Sequence, residues 1–564
     1  MEKTVLIENG IVVDGSGAPA FAGDVLVRGD RIEAVFRRMG NGEWGTYPPS
    51  EASRRRRCPS RGGNGESVGA DETVDATGCV VSPGFIDSHT HSDAYLVIEP
   101  DAPSKIAQGI TTEVNGQCGG SAAPRYGEAR LSSDWAALLG ERLTWHSMAE
   151  YREALEQARP AVNTVQFVGH NTLRSSVVGY AGRAATPDEL ARMQTLLAQS
   201  MDEGAWGLTT GLIYQPGRYS TPDEVAALAR VAAERGGIYA THMRSEGDRI
   251  LEAIDEVVDL ARTTGIRAEI SHLKTGGRAN WGKIDAVLEK VQSAIDEGVV
   301  LGSDRYPYCA AGTDLDIVLP DWAQEGAAKA EVERLADPAL RSRIVDEINA
   351  SGRDWSEVMI GGTWSPETRP CSGRTIAEIL ASPILHSSTP PLLQSHNSTI
   401  LLSPGELVCR ILELDGCKTG AFFFTMCEEN LDKILSRPWI VPGSDASLRA
   451  PWGPLGKDHP HPRAYATMPV FLARLRRLGV SLEEAVARMT SVPARRFGLV
   501  GRGVVEKGAF ADIAVWRDGE FASDSTYKDP HRFARGVECV MVNGAVTYRA
   551  GRFTGARAGR FLER

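Results

Sequence analysis

Val80-Val81-Ser82-Pro83-Gly84-Phe85-Ile86-Asp87-Ser88-His89-Thr90-His91 is an apolar run that ends in a polar tip carrying two histidines. Residues i and i+2 of an extended chain point to the same side, so both imidazoles can reach one ion. Seven further apolar runs follow, at residues 110–114, 165–169, 206–210, 238–241, 268–271, 299–302 and 439–442. Helical patterns separate many of them. Ile250, Ile254, Val257, Val258 and Ala261 share one helical face, as do Ile284, Val287, Leu288, Val291 and Ile295. Thr186-Pro187-Asp188-Glu189 and Thr221-Pro222-Asp223-Glu224 each set Thr at the N-cap, Pro in the first turn and Glu at the third position, which predicts two helix starts. Eight strands with crossover helices predict an α/β fold, a (β/α)8 TIM-type barrel over residues 83–496.

That span is about 410 residues where about 250 is typical, so the excess belongs in loops after the strands. The largest insertion is expected at about 313–438, between the seventh and eighth strands. Both ends of the chain read as short β-branched runs between Gly, Asp and Asn turns, and Asn543-Gly544 is a hairpin signal. They predict a small β-sandwich domain formed by both termini, residues 1–82 and 497–564. Residues 38–74 lose periodicity through Pro48-Pro49, Arg54-Arg55-Arg56-Arg57 and Gly62-Gly63, and are expected to form a disordered insert.

The 564 residues hold 62 Lys plus Arg against 73 Asp plus Glu, a net charge of −11, which argues against nucleic-acid or anionic-membrane partners. No aromatics interleave the four arginines to suggest otherwise. No apolar run is long enough for a membrane span, and residues 1–10 do not read as a secretory signal. Nine cysteines without a Cys-x-x-Cys pair suit free thiols in a reducing compartment, so a cytoplasmic location is expected.

Metal-ligand residue types recur at the strand tips: His89 and His91 after the first strand, Cys118 after the second, His242 and His272 after the fifth and sixth, Asp445 after the eighth. A parallel barrel gathers such tips on one rim. Imidazole, thiolate and carboxylate together are a zinc ligand set.

The segment 83–91 resembles the first-strand signature of the amidohydrolase superfamily, metal-dependent hydrolases in which a β domain from both termini flanks the barrel. Within it the chain most resembles the D-aminoacylases, the N-acyl-D-amino-acid deacylases. The stretches that carry this are Gln108-Gly109-Ile110-Thr111-Thr112-Glu113-Val114-Asn115-Gly116-Gln117-Cys118-Gly119, Thr241-His242-Met243-Arg244-Ser245-Glu246-Gly247 and Ile270-Ser271-His272-Leu273-Lys274. Asp304-Arg305-Tyr306-Pro307-Tyr308 and His459-Pro460-His461-Pro462-Arg463 extend it. The resemblance implies an N-acyl-D-amino-acid substrate and one tightly bound zinc on Cys118, His242 and His272. It implies a second, weaker site at His89 and His91, with Asp445 as ligand and general base. Asp445 would take a proton from water and return it to the departing amine. Lys274, Tyr306 and Arg463 would hold the substrate carboxylate. Where the family has serines after Tyr-Pro-Tyr, this chain has Cys309-Ala310-Ala311-Gly312-Thr313, which leaves acyl and side-chain preference open. Two alternatives remain: a cyclic-amide hydrolase of the dihydroorotase or hydantoinase kind, disfavoured by Cys118 and by the lack of lysine in 209–214, and an inactive barrel used as an assembly scaffold. Oligomeric state is not legible.

Overall fold

The computed structural model describes residues 2–38, 44–47, 70–129, 133–382 and 402–564. The chain opens with β1 (Thr4–Val12), β2 (Phe21–Arg28), β3 (Arg31–Arg38), β4 (Trp44–Tyr47), β5 (Glu72–Asp75) and β6 (Val80–Pro83). β1 is antiparallel to β2 and parallel to both β5 and β6, and a bulge between Ile7 and Gly10 lets it serve both parallel neighbours. One strand thus lies inside the stretch expected to be disordered and another overlaps its end: β4 pairs with β3, and β5 with β1. Asp71 accepts hydrogen bonds from the Thr4 amide and hydroxyl, and Glu72 pairs with Lys3 and Arg549, which fastens that end to the sheet. The Arg54–Arg57 cluster, at residues 54–57, lies outside the described residues.

The apolar run at residues 80–87 serves two sheets. β6 stays with the terminal strands, whereas β7 (Phe85–Asp87) pairs in parallel with β8 (Ile110–Asn115), and β8 with β9 (Asn163–Gln166). Gly84 makes the crossing: a Cβ there would meet the Thr111 side chain at 2.2 Å, and its N–H donates to the Asp512 carbonyl at 2.9 Å. Beyond Phe167, β10 (Val168–Gly169), β11 (Gly207–Gly211), β12 (Ile238–His242), β13 (Arg267–Ile270) and β14 (Leu301–Arg305) continue as a parallel sheet. The insertion follows, with β15 (Ala311–Asp314), β16 (Val358–Ile360) and β17 (Gly420–Phe423) in antiparallel order β15-β17-β16 over a core of its own that includes Leu315, Ile344, Ile376, Leu407 and Leu412. β18 (Ile440–Pro442) then pairs with β14. The Ser88 amide donates to the Pro442 carbonyl at 3.1 Å and Thr90 bridges Ala446, so the end of β7 lies against the end of β18.

The parallel strands are buried on both faces, which is why they read as apolar runs rather than alternations. Helices Pro187–Asp202, Pro222–Glu234, Ile250–Thr264 and Ile284–Asp296 cover them with the faces expected from their periodicity. Thr186 and Glu189 complete a capping box. Thr221 caps in the same way, but the Glu224 carboxylate turns inward to His170 and Arg174 instead of closing the box.

β19 (Ile513–Trp516), β20 (Val537–Val542), β21 (Ala545–Arg549) and β22 (Arg552–Phe553) finish the chain. β19 pairs antiparallel with β6, so both termini share one ten-stranded sheet. Asn543 and Gly544, both at positive φ, make the expected hairpin turn. The ladder is a single sheet branched at β1 rather than the two sheets of a sandwich; its apolar side gathers Ile7, Val25 and Val35 with Ile513, Val515 and Met541 in one core. The last residues leave this domain: Phe561 bridges Thr164, and the Trp206 indole donates to the Leu562 carbonyl at 2.7 Å. Among the described residues no helix is long and apolar enough to cross a membrane.

Candidate metal centre

Every candidate ligand lies at or just beyond the end of a parallel strand, and the strand ends meet. His89, Cys118, His272 and Asp445 bring one donor atom each to within 4.8 Å of one another. Cys118 Sγ is 3.3 Å from His89 Nε2 and 3.2 Å from His272 Nε2. Asp445 Oδ1 is 3.4 Å from His89 Nε2 and 3.0 Å from His91 Nε2. Both rings thus address the Asp445 carboxylate, while His91 belongs neither to this donor group nor to the second one. A second group, His242, Glu246 and His272, shares the His272 ring, whose centroid is 4.6 Å from that of His242. Two separate ligand sets were expected. The side chains instead form one continuous cluster with His272 in common.

The backbone at this rim is bent. Cys118, His272 and Asp445 have φ of 51°, 37° and 48°, a region that costs non-glycine residues about 1–3 kcal/mol each and that concentrates at functional sites. Gly119 permits the turn at Cys118, since a Cβ there would meet the Gly211 amide nitrogen at 2.7 Å.

The charges are strongly coupled. Burial would raise the Cys118 thiol, but His89 and His272 outweigh it and pull it well below its ordinary range. Burial would also raise Asp445, yet the Arg463 guanidinium, 2.8 Å from Oδ2, and His272 hold its carboxyl well below the usual range. Against burial and Lys274, the thiolate and carboxylates push His272 up to about 10. Anionic donors thus demand positive charge at the cluster centre. His242 adds a second sign: its ring is buried and neither nitrogen makes a hydrogen bond, Nε2 lying 3.5 Å from Glu246 Oε2. A buried imidazole with free nitrogens beside a thiolate, two more imidazoles and a carboxylate is a donor set that fits a borderline-soft divalent cation such as zinc.

The three residues expected to hold a carboxylate surround this cluster. Lys274 Nζ lies 2.8 Å from His272 Nδ1 and pairs with Glu246; Arg463 pairs with Asp445 and stacks 4.6 Å from the Tyr306 ring. Both cations therefore engage protein carboxylates here. The Tyr306 hydroxyl is buried without a partner; burial raises it, but Lys274, Arg305 and Arg463 pull it below the ordinary phenol range.

Sequence reasoning passed over two carboxylates. Asp304, inside β14, accepts from His89 Nδ1 at 3.0 Å and from the His272 amide at 3.0 Å. Glu246 lies 3.0 Å from His272 Nδ1. Asp304 orients His89 through the ring nitrogen that faces away from Cys118, a recurrent arrangement at metal sites, whereas Glu246 shares the Nδ1 side of His272 with Lys274 and belongs to the second donor group itself. Both occur in segments already singled out, Asp304-Arg305-Tyr306 and His242-Met243-Arg244-Ser245-Glu246.

Comparison with known proteins gives a consistent pattern. The sequence profile of the amidohydrolase family matches residues 72–363 and 420–548. An N-acyl-D-glutamate deacylase of Alcaligenes xylosoxydans xylosoxydans is 33% identical over 549 residues, covering 96% of this chain and 93% of the relative. A D-aminoacylase of the same organism is 33% identical over 563 residues, covering 99% and 97%. Among solved structures, an N-acyl-D-glutamate deacylase from Bordetella bronchiseptica, complexed with zinc and a phosphonate mimic of the tetrahedral intermediate, superposes with a TM-score of 0.77 at 31% identity over 100% of both chains.

Proposed function

The chain belongs to the amidohydrolase family, and on that footing we propose that it is a zinc-dependent hydrolase converting N-acyl-D-amino acids into a carboxylate and a free D-amino acid, on a (β/α)8 barrel closed between β7 and β18. The observation that carries this reading is Cys118, a thiolate within reach of His89, His272 and Asp445 at the tip of the second parallel strand. No lysine at the β11 tip competes for that role.

Cys118, His242 and His272 would hold the tightly bound zinc, and His89, His91 and Asp445 a weaker second one. When bound, zinc acidifies water and polarises a carbonyl. Asp445, ionised at neutral pH, accepts a proton from the attacking water and hands it to the amide nitrogen as the C–N bond breaks. Asp304 and Glu246 hold the His89 and His272 rings in register. Tyr306, whose hydroxyl is free, donates to the substrate carboxylate, and Arg463 and Lys274 supply positive charge beside it.

The test is release of free amino acid from N-acetyl-D-methionine, N-acetyl-D-glutamate and N-acetyl-D-aspartate and from their L-enantiomers, with zinc and after chelation. Turnover of at least one D-substrate, abolished by chelation and restored by zinc, is expected. No turnover of any D-substrate by folded, zinc-loaded protein, or equal turnover of both enantiomers, overturns it.

A further inference from the structure

The mechanism above leaves unused one fully buried cation close to the site. Lys105, on the short helix Pro103–Ile106, has no exposed surface. Its Nζ is 2.8 Å from Asp87 Oδ2 and 3.1 Å from Glu113 Oε1, side chains of β7 and β8. The ammonium then reaches across to the loop after β18, donating to Ser444 Oγ at 3.0 Å and to the Ala446 carbonyl at 3.0 Å. Those two residues flank Asp445. Asp87 completes the grip by accepting the Ser444 amide at 2.7 Å, and Asp445 itself donates its amide to the His89 carbonyl at 2.8 Å.

Further along, the loop is fastened to the same elements. Ser92 Oγ accepts the Leu448 amide at 2.9 Å while donating to Glu113, and Ser104 Oγ accepts the Arg449 amide at 2.8 Å. Asp445 needs such restraint, because its φ of 48° is one that an aspartate loses once the neighbours stop imposing it. A lysine whose three N–H groups go to Asp87, Ser444 and the Ala446 carbonyl, bonded to residues 444 and 446 but not to 445, constrains the peptide units on both sides of the carboxylate.

We propose that Lys105 is the positioning residue for Asp445: its ammonium clamps the flanking residues Ser444 and Ala446 to β7 and β8 and so aims the Asp445 carboxylate at the cluster. This rests on the reading of Asp445 as ligand and base. Lys105 touches neither substrate nor cation and acts through the loop alone.

Two variants keep the test clear of simple misfolding. Lys105→Met combined with Glu113→Gln removes the ammonium together with one of the charges it neutralises. Ser444→Ala keeps the Lys105–Asp87–Glu113 ion cluster and removes the Lys105–Ser444 link, together with the longer contacts of the Ser444 hydroxyl with Ala446 and the His89 carbonyl. Each is made alone and with Asp445→Ala, and read by kcat, by KM and by cobalt(II) titration of the zinc-free protein. The expected result is a fall in kcat of about 10- to 100-fold for the Lys105 variant and a smaller fall for Ser444→Ala, with KM within twofold. Cobalt(II) binding should weaken in parallel, and neither change should add to the effect of Asp445→Ala. Losses that multiply in the Asp445→Ala background, or kcat and cobalt(II) affinity unchanged in folded variants, overturn the proposal. If the Lys105 variant does not fold, Ser444→Ala decides by the same criteria. If the parent protein hydrolyses no N-acyl-D-amino acid, the proposed function fails, and the cobalt(II) cycle still decides the role of Lys105.

Discussion

Asp304→Asn isolates the effect of one hydrogen bond on a metal ligand. Asp304 Oδ1 accepts the His272 amide at 3.0 Å, and an asparagine carbonyl oxygen takes over that bond without strain. The other arm changes character. Oδ2 accepts from His89 Nδ1 at 3.0 Å, and the asparagine amide in its place is a donor. The fully buried His89 ring answers by moving its proton to Nε2, the nitrogen that lies 3.3 Å from Cys118 Sγ and 3.4 Å from Asp445. The lone pair offered to the cluster is thereby lost, while the fold keeps both its hydrogen bonds. Changes of this kind cost about 10- to 100-fold in metal affinity or activity, or about 1.4–2.8 kcal/mol at about 1.4 kcal/mol per factor of ten. Competition with a zinc-chelating dye gives the affinity, thermal unfolding of the zinc-free protein reports the fold, and kcat at saturating zinc reports catalysis. Affinity and kcat both within twofold of the parent, in a protein of unchanged unfolding temperature, would refute the reasoning.

Other perturbations follow from the same geometry. Tyr306→Phe removes a hydroxyl that bonds nothing in this structure, so the unfolding temperature should hold while KM rises about 10- to 100-fold, the worth of a hydrogen bond to a charged group; an unchanged KM rules out the carboxylate contact. Gly84→Ala drives a methyl into Thr111 and should destabilise the protein by about 1–3 kcal/mol in a denaturant titration, with part of the loss recovered by adding Thr111→Ala. In the insertion, burial and the Glu331 carboxylate hold the Asp316 carboxyl above its ordinary range, and burial with the charge of Asp314 holds Glu331 above its own. The folded state then keeps a proton that the unfolded chain releases from about pH 4 upward, so the contribution of this pair to stability is greatest in acid and falls as pH rises toward about 7. Glu331→Gln should flatten that decline in unfolding temperature between pH 5 and 8; a parallel decline in parent and variant counts against it.

The parallel strands were legible because they are buried on both faces and so read as apolar runs, and their candidate ligands because each stands just past a run. Cys118, His242 and His272 needed only local sequence to be noticed. Asp304 and Glu246 did not stand out for the opposite reason. A carboxylate in or after a strand looks like any other until its partner is known, and His89 is 215 positions from Asp304. The same holds for Lys105, whose acceptors come from three separate strand ends. The single branched sheet was hidden in one bulge between Ile7 and Gly10, for which the sequence has no distinctive mark. The grouping of ligands around a shared His272 accompanies left-handed backbone at Cys118, His272 and Asp445, and residue type alone does not announce that conformation.

The split at Gly84 has a bearing on vectorial synthesis. Strand β6 is hydrogen-bonded to β19, and Ser82 meets Ala514, its partner 432 positions later, only when most of the chain has left the ribosome. Until then the segment leading into His89 and His91 has one edge open. The stretch that leads into the two imidazoles thus gains its β19 support only from the C-terminal end of the chain. Truncation or fusion near the C-terminus should accordingly be judged by its effect on the first strand of the metal site, at the far end of the sequence.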